Sequence, residues 1–163
     1  MKEKTWNLED WKNAGAVIGE GVTAIDSFID AAFPWLVEIG DNTVLTGATV
    51  LAHDASMHPD LGVTKVGVTR IGRNCFIGYG SIVRAGVTIG DDCIIGIGSI
   101  VTKDVPAGSV FAGTKVIKTK KEFLAAHEEA LERLPHIEDR PVADPIEQER
   151  LRNLIKEKGG YAV

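Results

Sequence analysis

From Ile71 onward a branched aliphatic returns every sixth residue, at Ile71, Ile77, Val83, Ile89, Ile95 and Val101. Four positions after each comes a small or medium residue: Cys75, Ser81, Val87, Cys93, Ser99 and Val105. The apolar face of an α-helix recurs at three and four residues, and a six-residue step lands roughly 240° round the axis, so a helix is excluded. In a strand, the small position and the next aliphatic are two residues apart and point to the same side. Each hexad therefore predicts one short strand with an inward pair and one corner. Glycine follows the aliphatic at Gly72, Gly78, Gly90 and Gly96, where a bend is needed.

Folding the stretch at eighteen residues sets IGRNCFIGYGSIVRAGVT over IGDDCIIGIGSIVTKDVP, with Cys, Ser and Val in the small position in the same order. Three hexads thus make one coil, and stacked coils lie at strand spacing, roughly 4.8 Å apart. The prediction is an all-β core, a parallel β-helix with three flat sides, in which each coil needs its neighbours to bury its inner face. Further hexads start at Ile18, Ile39, Leu45 and Leu51, and Pro34 in DAAFPWLVE marks an irregular side. The step from Leu51 to Ile71 is twenty residues, not a multiple of six, which expels an external loop at about 54–68.

Outside the repeat the period becomes helical. Asn7 is an N-cap for LEDWKN, giving an N-terminal helical segment over 1–14. Thr119 with Glu122 reads as a capping box opening KKEFLAAHEEALERL, with a stripe of Leu124, His127, Leu131 and Leu134. Asp144 and Pro145 start another helix, with Leu151, Leu154 and Ile155 on one face and Gly159 at its end. The expected organisation is a β-helix domain over 15–118 and a C-terminal helical extension over 119–163.

Charge narrows the function classes. The chain has 163 residues, a net charge of −5 and a pI near 5.4, which argues against nucleic acid or an anionic membrane as partner. No stretch approaches eighteen apolar residues and MKEKTWNLEDWK lacks the core of a signal peptide, so the expected location is cytoplasmic. Cys75 and Cys93, one coil apart and inward, are read as buried reduced thiols.

The run GVTIGDDCIIGIGSIVTKDVPAGSV, the following AGTKVIK and the histidine-bearing loop before the last coils resemble the hexapeptide-repeat acyltransferases. Within that family they are similar to the maltose, galactoside and polysaccharide O-acetyltransferases. The resemblance covers roughly residues 15 to 118. It implies a left-handed coil, a homotrimer, acetyl-CoA as acyl donor bound in a groove between two prisms, and a histidine that deprotonates a sugar hydroxyl. Position by position it implies that Tyr79, Ile97, Thr102 and Lys103 contact the cofactor's arm, with Lys115 and Lys118 near its phosphates.

Acyl transfer from a thioester to an alcohol needs a base for the alcohol's proton and donors for the developing oxyanion. Histidine is the natural base at neutral pH. Of the four histidines, His127 and His136 lie beyond the repeat and are read as structural or solvated. His53 and His58 flank the loop in LAHDASMHPD; His53, beside the last in-register strand, is the expected base and His58 its alternative. A base needs an orienter for its second ring nitrogen, and Asp30, Asp26 and Asp54 are the candidates. Trp35 offers either a wall for a sugar ring or packing in the core or at an interface.

The expected reaction is acetyl-CoA-dependent O-acetylation of a sugar-like hydroxyl. N-acetylation of an amino sugar would use the same base and groove. A zinc carbonic anhydrase on the same prism needs three histidine ligands, and no histidine precedes His53, so no metal is expected. A non-catalytic trimer is the remaining class.

Overall fold

The computed structural model describes residues 6–137, 141–156 and 159–162. The chain divides into two units, one running up to Lys120 and the other starting at Lys121.

The first unit opens with helix α1 (Leu8–Asn13), capped as its sequence requires. The Asn7 side chain accepts from the Asp10 N–H and the Asp10 carboxylate accepts from the Asn7 N–H, each at 3.0 Å. Trp11 is buried, and its indole N–H donates to the Ile29 carbonyl at 2.9 Å, so the helix is fastened to the first coil.

Beyond α1 the chain visits three parallel sheets in turn. The first holds Val17–Ile18, Val37–Ile39, Thr69–Ile71 and Thr88–Ile89; the second holds Thr23–Ile25, Val44–Thr46, Phe76–Ile77, Ile94–Ile95 and Ser109–Ala112; the third holds Phe28–Ile29, Thr49–Val50, Ile82–Val83 and Ile100–Val101. Lys115–Thr119 then folds back antiparallel on Ser109–Ala112. Phe76 pairs with Ile94 and Ile82 with Ile100, the eighteen-residue coil expected from the repeat. All six phased aliphatics from Ile71 to Val101, and all six small residues from Cys75 to Val105, are buried. The core is a stack of like on like between the three sheets. Cys75 and Cys93 are both buried and free, their thiols donating to the carbonyls of Gly90 and Pro106.

The register departs from expectation at one place. Leu51 is not the phased aliphatic; Val50 is, fully buried and paired with Ile29 on one side and Val83 on the other. The corner before it is one residue short. Gly47 turns the chain with φ +52, Ala48 rather than the fourth residue fills the small slot, and Val50 follows Leu45 by five residues. A Cβ on Gly47 would lie 2.3 Å from the Tyr79 ring, so the corner also needs the absence of a side chain.

Two insertions leave the coil. Residues 30–36 carry a short 3-10 turn, Pro34–Leu36, between the third sheet and the first. Later, His53–Asp54 pairs antiparallel with Lys65–Val66, and the hairpin between them carries the short helix α2 (His58–Leu61). These insertions lengthen the spacing between stacked partners: twenty-one residues separate Thr23 from Val44, and thirty-two separate Val44 from Phe76.

The second unit contains most of helix α3 (Lys120–Leu131), helix α4 (Pro145–Ile155) and a parallel pair, His136–Ile137 with Tyr161–Ala162. Asp144 caps α4, accepting from the Ile146 N–H at 3.1 Å; the helix ends at Ile155, not at Gly159 (φ +74), whose N–H donates to the Ile155 carbonyl at 2.9 Å. The apolar stripe of α3 differs from expectation. Leu124 and His127 are exposed, and the half-buried positions are Phe123, Ala130, Leu131 and Leu134. Likewise Leu151 and Ile155 of α4 are half-buried while Leu154 is exposed.

Candidate active site

The two insertions meet at the edge between the third and first sheets. Asp30 ends the third-sheet strand of the first coil, and His53 follows the third-sheet strand of the second. The stacking of coils brings them together: His53 Nδ1 lies 2.5 Å from Asp30 Oδ2. The carboxylate has no exposed surface, while the imidazole is about a third exposed, at 31%.

Asp30 has four partners. Oδ2 also accepts from the Ala52 N–H at 2.8 Å, and Oδ1 accepts from the N–H groups of Ala32 at 2.9 Å and Phe33 at 3.2 Å. Burial works to raise its pKa, but the Ala52 N–H, the imidazole and the Phe33 and Ala32 N–H groups together outweigh it. The carboxyl is held below the ordinary carboxylate value. An ionised Asp30 accepts a proton-bearing Nδ1, which leaves the lone pair on Nε2. Nε2 forms no hydrogen bond among the described residues.

Aromatic rings border the imidazole on one side. The Phe33 ring centroid lies 5.2 Å from that of His53, and Trp35 meets Phe33 edge-on at 5.6 Å. Trp35 is 58% exposed, which excludes the core-packing alternative.

The other acidic candidates serve elsewhere. Asp54 Oδ1 accepts from the Ser56 N–H at 2.9 Å, an Asx turn that shapes the hairpin, and this contact with the Ser56 hydroxyl lowers its pKa. Asp26 sits at an exposed corner with φ +47. His58, at the exposed start of α2, makes no hydrogen bond to a carboxylate among the described residues. The cause is topological, because only Asp30 stacks under the strand that delivers His53. His127 accepts or donates at the Phe123 carbonyl, 2.8 Å away, and His136 at the Leu131 carbonyl, 2.7 Å away, both in the second unit. No three His, Cys, Asp or Glu side chains gather as a metal site among the described residues.

The residues expected at the cofactor fall in two places. Thr102 and Lys103 follow the third-sheet strand of the fourth coil, on the same edge as His53. Tyr79 and Ile97 precede third-sheet strands and so lie at its opposite edge. They are stacked there, the Tyr79 carbonyl accepting from Gly98 N–H at 2.8 Å, and 69% and 78% exposed. Lys115 and Lys118 are exposed on the antiparallel strand of the second sheet. The third sheet stands between the two groups.

Residues 68–103 match the hexapeptide repeat of succinyl-transferase. A maltose O-acetyltransferase from Clostridium difficile 630 superposes with a TM-score of 0.53 at 23% identity, over 73% of this chain and 78% of that one. A hexapeptide-repeat-containing acetyltransferase from Vibrio cholerae gives a TM-score of 0.52 at 17% identity, over 72% and 82%. The fold is that of hexapeptide-repeat acetyltransferases. A galactoside acetyltransferase in complex with coenzyme A is a more distant neighbour, with a TM-score of 0.49 at 23% identity over 76% and 73%. No curated protein matches the sequence. Among the described residues of this hexapeptide-repeat chain, no helix is long and apolar enough to cross a membrane.

Sequence reasoning named His53 as the base and Asp30 as one of three candidate orienters, without choosing among the three, and it missed Phe33 altogether. Nothing in the local sequence marks Phe33, since its contact with His53 spans twenty residues and arises only when the coils stack.

Proposed function

We propose that this protein is an acetyl-CoA-dependent O-acetyltransferase acting on a sugar-like hydroxyl, with His53 as general base and Asp30 as its orienter. The observation that carries the reading is the buried Asp30 carboxylate on His53 Nδ1, with Nε2 left open at the edge of a hexapeptide-repeat fold.

In this mechanism Nε2 takes the acceptor's hydroxyl proton as the oxygen attacks the thioester carbonyl carbon. The carbon–sulfur bond then breaks, and the departing thiolate receives the same proton from the imidazolium. Asp30 stays ionised throughout and stabilises the imidazolium that forms between the two steps. Thr102 and Lys103 on the His53 edge, with Tyr79, Ile97, Lys115 and Lys118 beyond the third sheet, are the proposed cofactor contacts.

Because those groups lie on opposite sides of one sheet, a single groove that uses both takes two protomers. The outer face of the third sheet supports such an assembly: Phe28, Thr49, Ile82 and Ile100 stack in register along it, and Phe28, Ile82 and Ile100 are 47%, 39% and 48% exposed. The proposed assembly is a homotrimer of left-handed coils in the cytoplasm, where the two free thiols stay reduced.

Thiol release from acetyl-CoA across a panel of mono-, di- and nucleotide sugars tests the reading. His53→Ala should lower kcat about 10² to 10⁴-fold with acetyl-CoA affinity retained, and His58→Ala should leave it near wild type. A His53→Ala enzyme with full turnover refutes the assignment.

A further inference from the structure

We propose that the turn over residues 31–36 is the acceptor subsite, with Trp35 stacking on the apolar face of a pyranoside ring and Phe33 setting the distance between that ring and His53. The inference deepens the acyl-transfer reading and rests on it for the identity of the base.

Three observations carry it. First, the turn is an excursion from the coil, placed beside the imidazole. A repeat that needs only to stack has no use for seven residues between Ile29 and Val37, yet these residues deliver two aromatic rings to the neighbourhood of His53. Second, the turn is pinned by the residue that holds the base. Asp30 Oδ2 takes the imidazole while Oδ1 takes the N–H groups of Ala32 and Phe33, so one buried carboxylate fixes the aromatic wall and the base relative to each other. Positioning of this kind is what a bimolecular transfer requires, since a misplaced acceptor loses most of the rate.

Third, Trp35 is anchored at its base and free at its ring. A Cβ on Gly15 (φ +102) would lie 3.1 Å from the Trp35 Cβ, so the backbone there is closely packed, whereas the residue as a whole is 58% exposed. A large exposed indole, fixed at its Cβ and separated from the imidazole by the Phe33 ring, has a flat apolar face to offer. The C–H face of a pyranoside complements it, and an acyclic acceptor such as glucitol or serine does not present such a face. The preference expected is therefore for a ring-closed acceptor, whose hydroxyl projects from the stacked ring toward Nε2.

The test separates binding from turnover. The chain has three tryptophans, of which Trp11 is buried and Trp6 half-buried, so Trp35 dominates the solvent-sensitive fluorescence. Titration of wild-type protein with the methyl pyranosides of glucose, galactose and mannose should change the emission for at least one, glucitol should not, and the change should vanish in Trp35→Ala. In thiol-release assays Trp35→Ala should raise the acceptor KM roughly tenfold, the scale of one aromatic stacking contact, and leave the acetyl-CoA KM unchanged. Phe33→Leu, which keeps an apolar wall but loses the ring beside His53, should lower kcat more than it raises KM. Fluorescence change without any thiol release would sink the acyl-transfer reading and leave the subsite standing. Turnover with unaltered acceptor KM in Trp35→Ala would overturn the subsite, as would an oligomer that dissociates on that substitution while binding of the pyranoside persists.

Discussion

Replacing Asp30 by asparagine keeps the shape of the side chain and removes one acceptor oxygen. In the wild type, Oδ2 serves His53 and Ala52 and Oδ1 serves Ala32 and Phe33. The amide has one oxygen and one NH₂ group, so one pair of partners must face a donor. If NH₂ replaces Oδ1, the Ala32 and Phe33 N–H groups both lose their acceptor. If NH₂ replaces Oδ2, only the Ala52 N–H is orphaned, provided the imidazole presents its Nδ1 lone pair and moves its proton to Nε2. A buried donor without an acceptor costs about 1 to 3 kcal/mol, so the second arrangement, with one orphan, is favoured over the first, with two. The expected result is a folded protein less stable by about 1 to 3 kcal/mol whose His53 carries its proton on the wrong nitrogen. Turnover should then fall about 10² to 10⁴-fold, while acetyl-CoA affinity holds.

Urea unfolding at neutral pH measures the first quantity, thiol release the second, and imidazole ¹⁵N shifts report the tautomer directly. The pH dependence follows from the direction of the Asp30 shift. Its folded pKa is lowered, so its ionised form contributes stability that is fully present above the unfolded value of about 3.9 and is lost as pH falls through the folded value. The stability gap between wild type and Asp30→Asn should therefore narrow only under acid conditions, below about pH 4. An Asp30→Asn protein with wild-type stability, tautomer and rate would refute the whole account of the pair.

Two further outcomes bear on the assembly and the cofactor. Ile82→Lys puts a charge inside the ladder on the outer face of the third sheet and Ile100→Lys puts one at its end; sedimentation should show the wild-type trimer and dissociated variants, and a monomeric wild type would remove the shared groove. Replacing Lys103, Lys115 and Lys118 together by alanine should weaken acetyl-CoA binding at least tenfold, the scale of one charge-assisted hydrogen bond. Calorimetric affinities equal to wild type would refute that placement, and the wild-type affinity should fall with salt.

The sequence by itself determined the coil. A six-residue period with an inward pair in every hexad has no helical solution, and the eighteen-residue alignment of Cys, Ser and Val states which residues stack, because both are consequences of strand geometry alone. The caps at Asn7 and Asp144 were equally legible, being contacts between residues two or three apart. The slip from Leu51 to Val50 was not, since it depends on a corner shortened at Gly47 beneath the Tyr79 ring of the next coil. The stripe of α3 was misjudged for a related reason: a helical period marks several possible faces, and packing decides which is covered.

The candidate site divides along the same line. Chemistry singled out His53 and a short list of aspartates, but choosing Asp30 over Asp26 and Asp54 required knowing that the strand ending at Asp30 lies beneath the one that leads to His53. Trp35 could be named from the sequence as a wall for a sugar ring, but the Phe33 and Trp35 wall takes its place beside His53 only in the tertiary structure. Its residues interrupt the repeat, so no period announces them, and they acquire a position relative to the base only through the two oxygens of one buried carboxylate. Periodic contacts are written along the chain because each coil repeats the last; a site is made where insertions from different coils meet, and that meeting is a property of the stack.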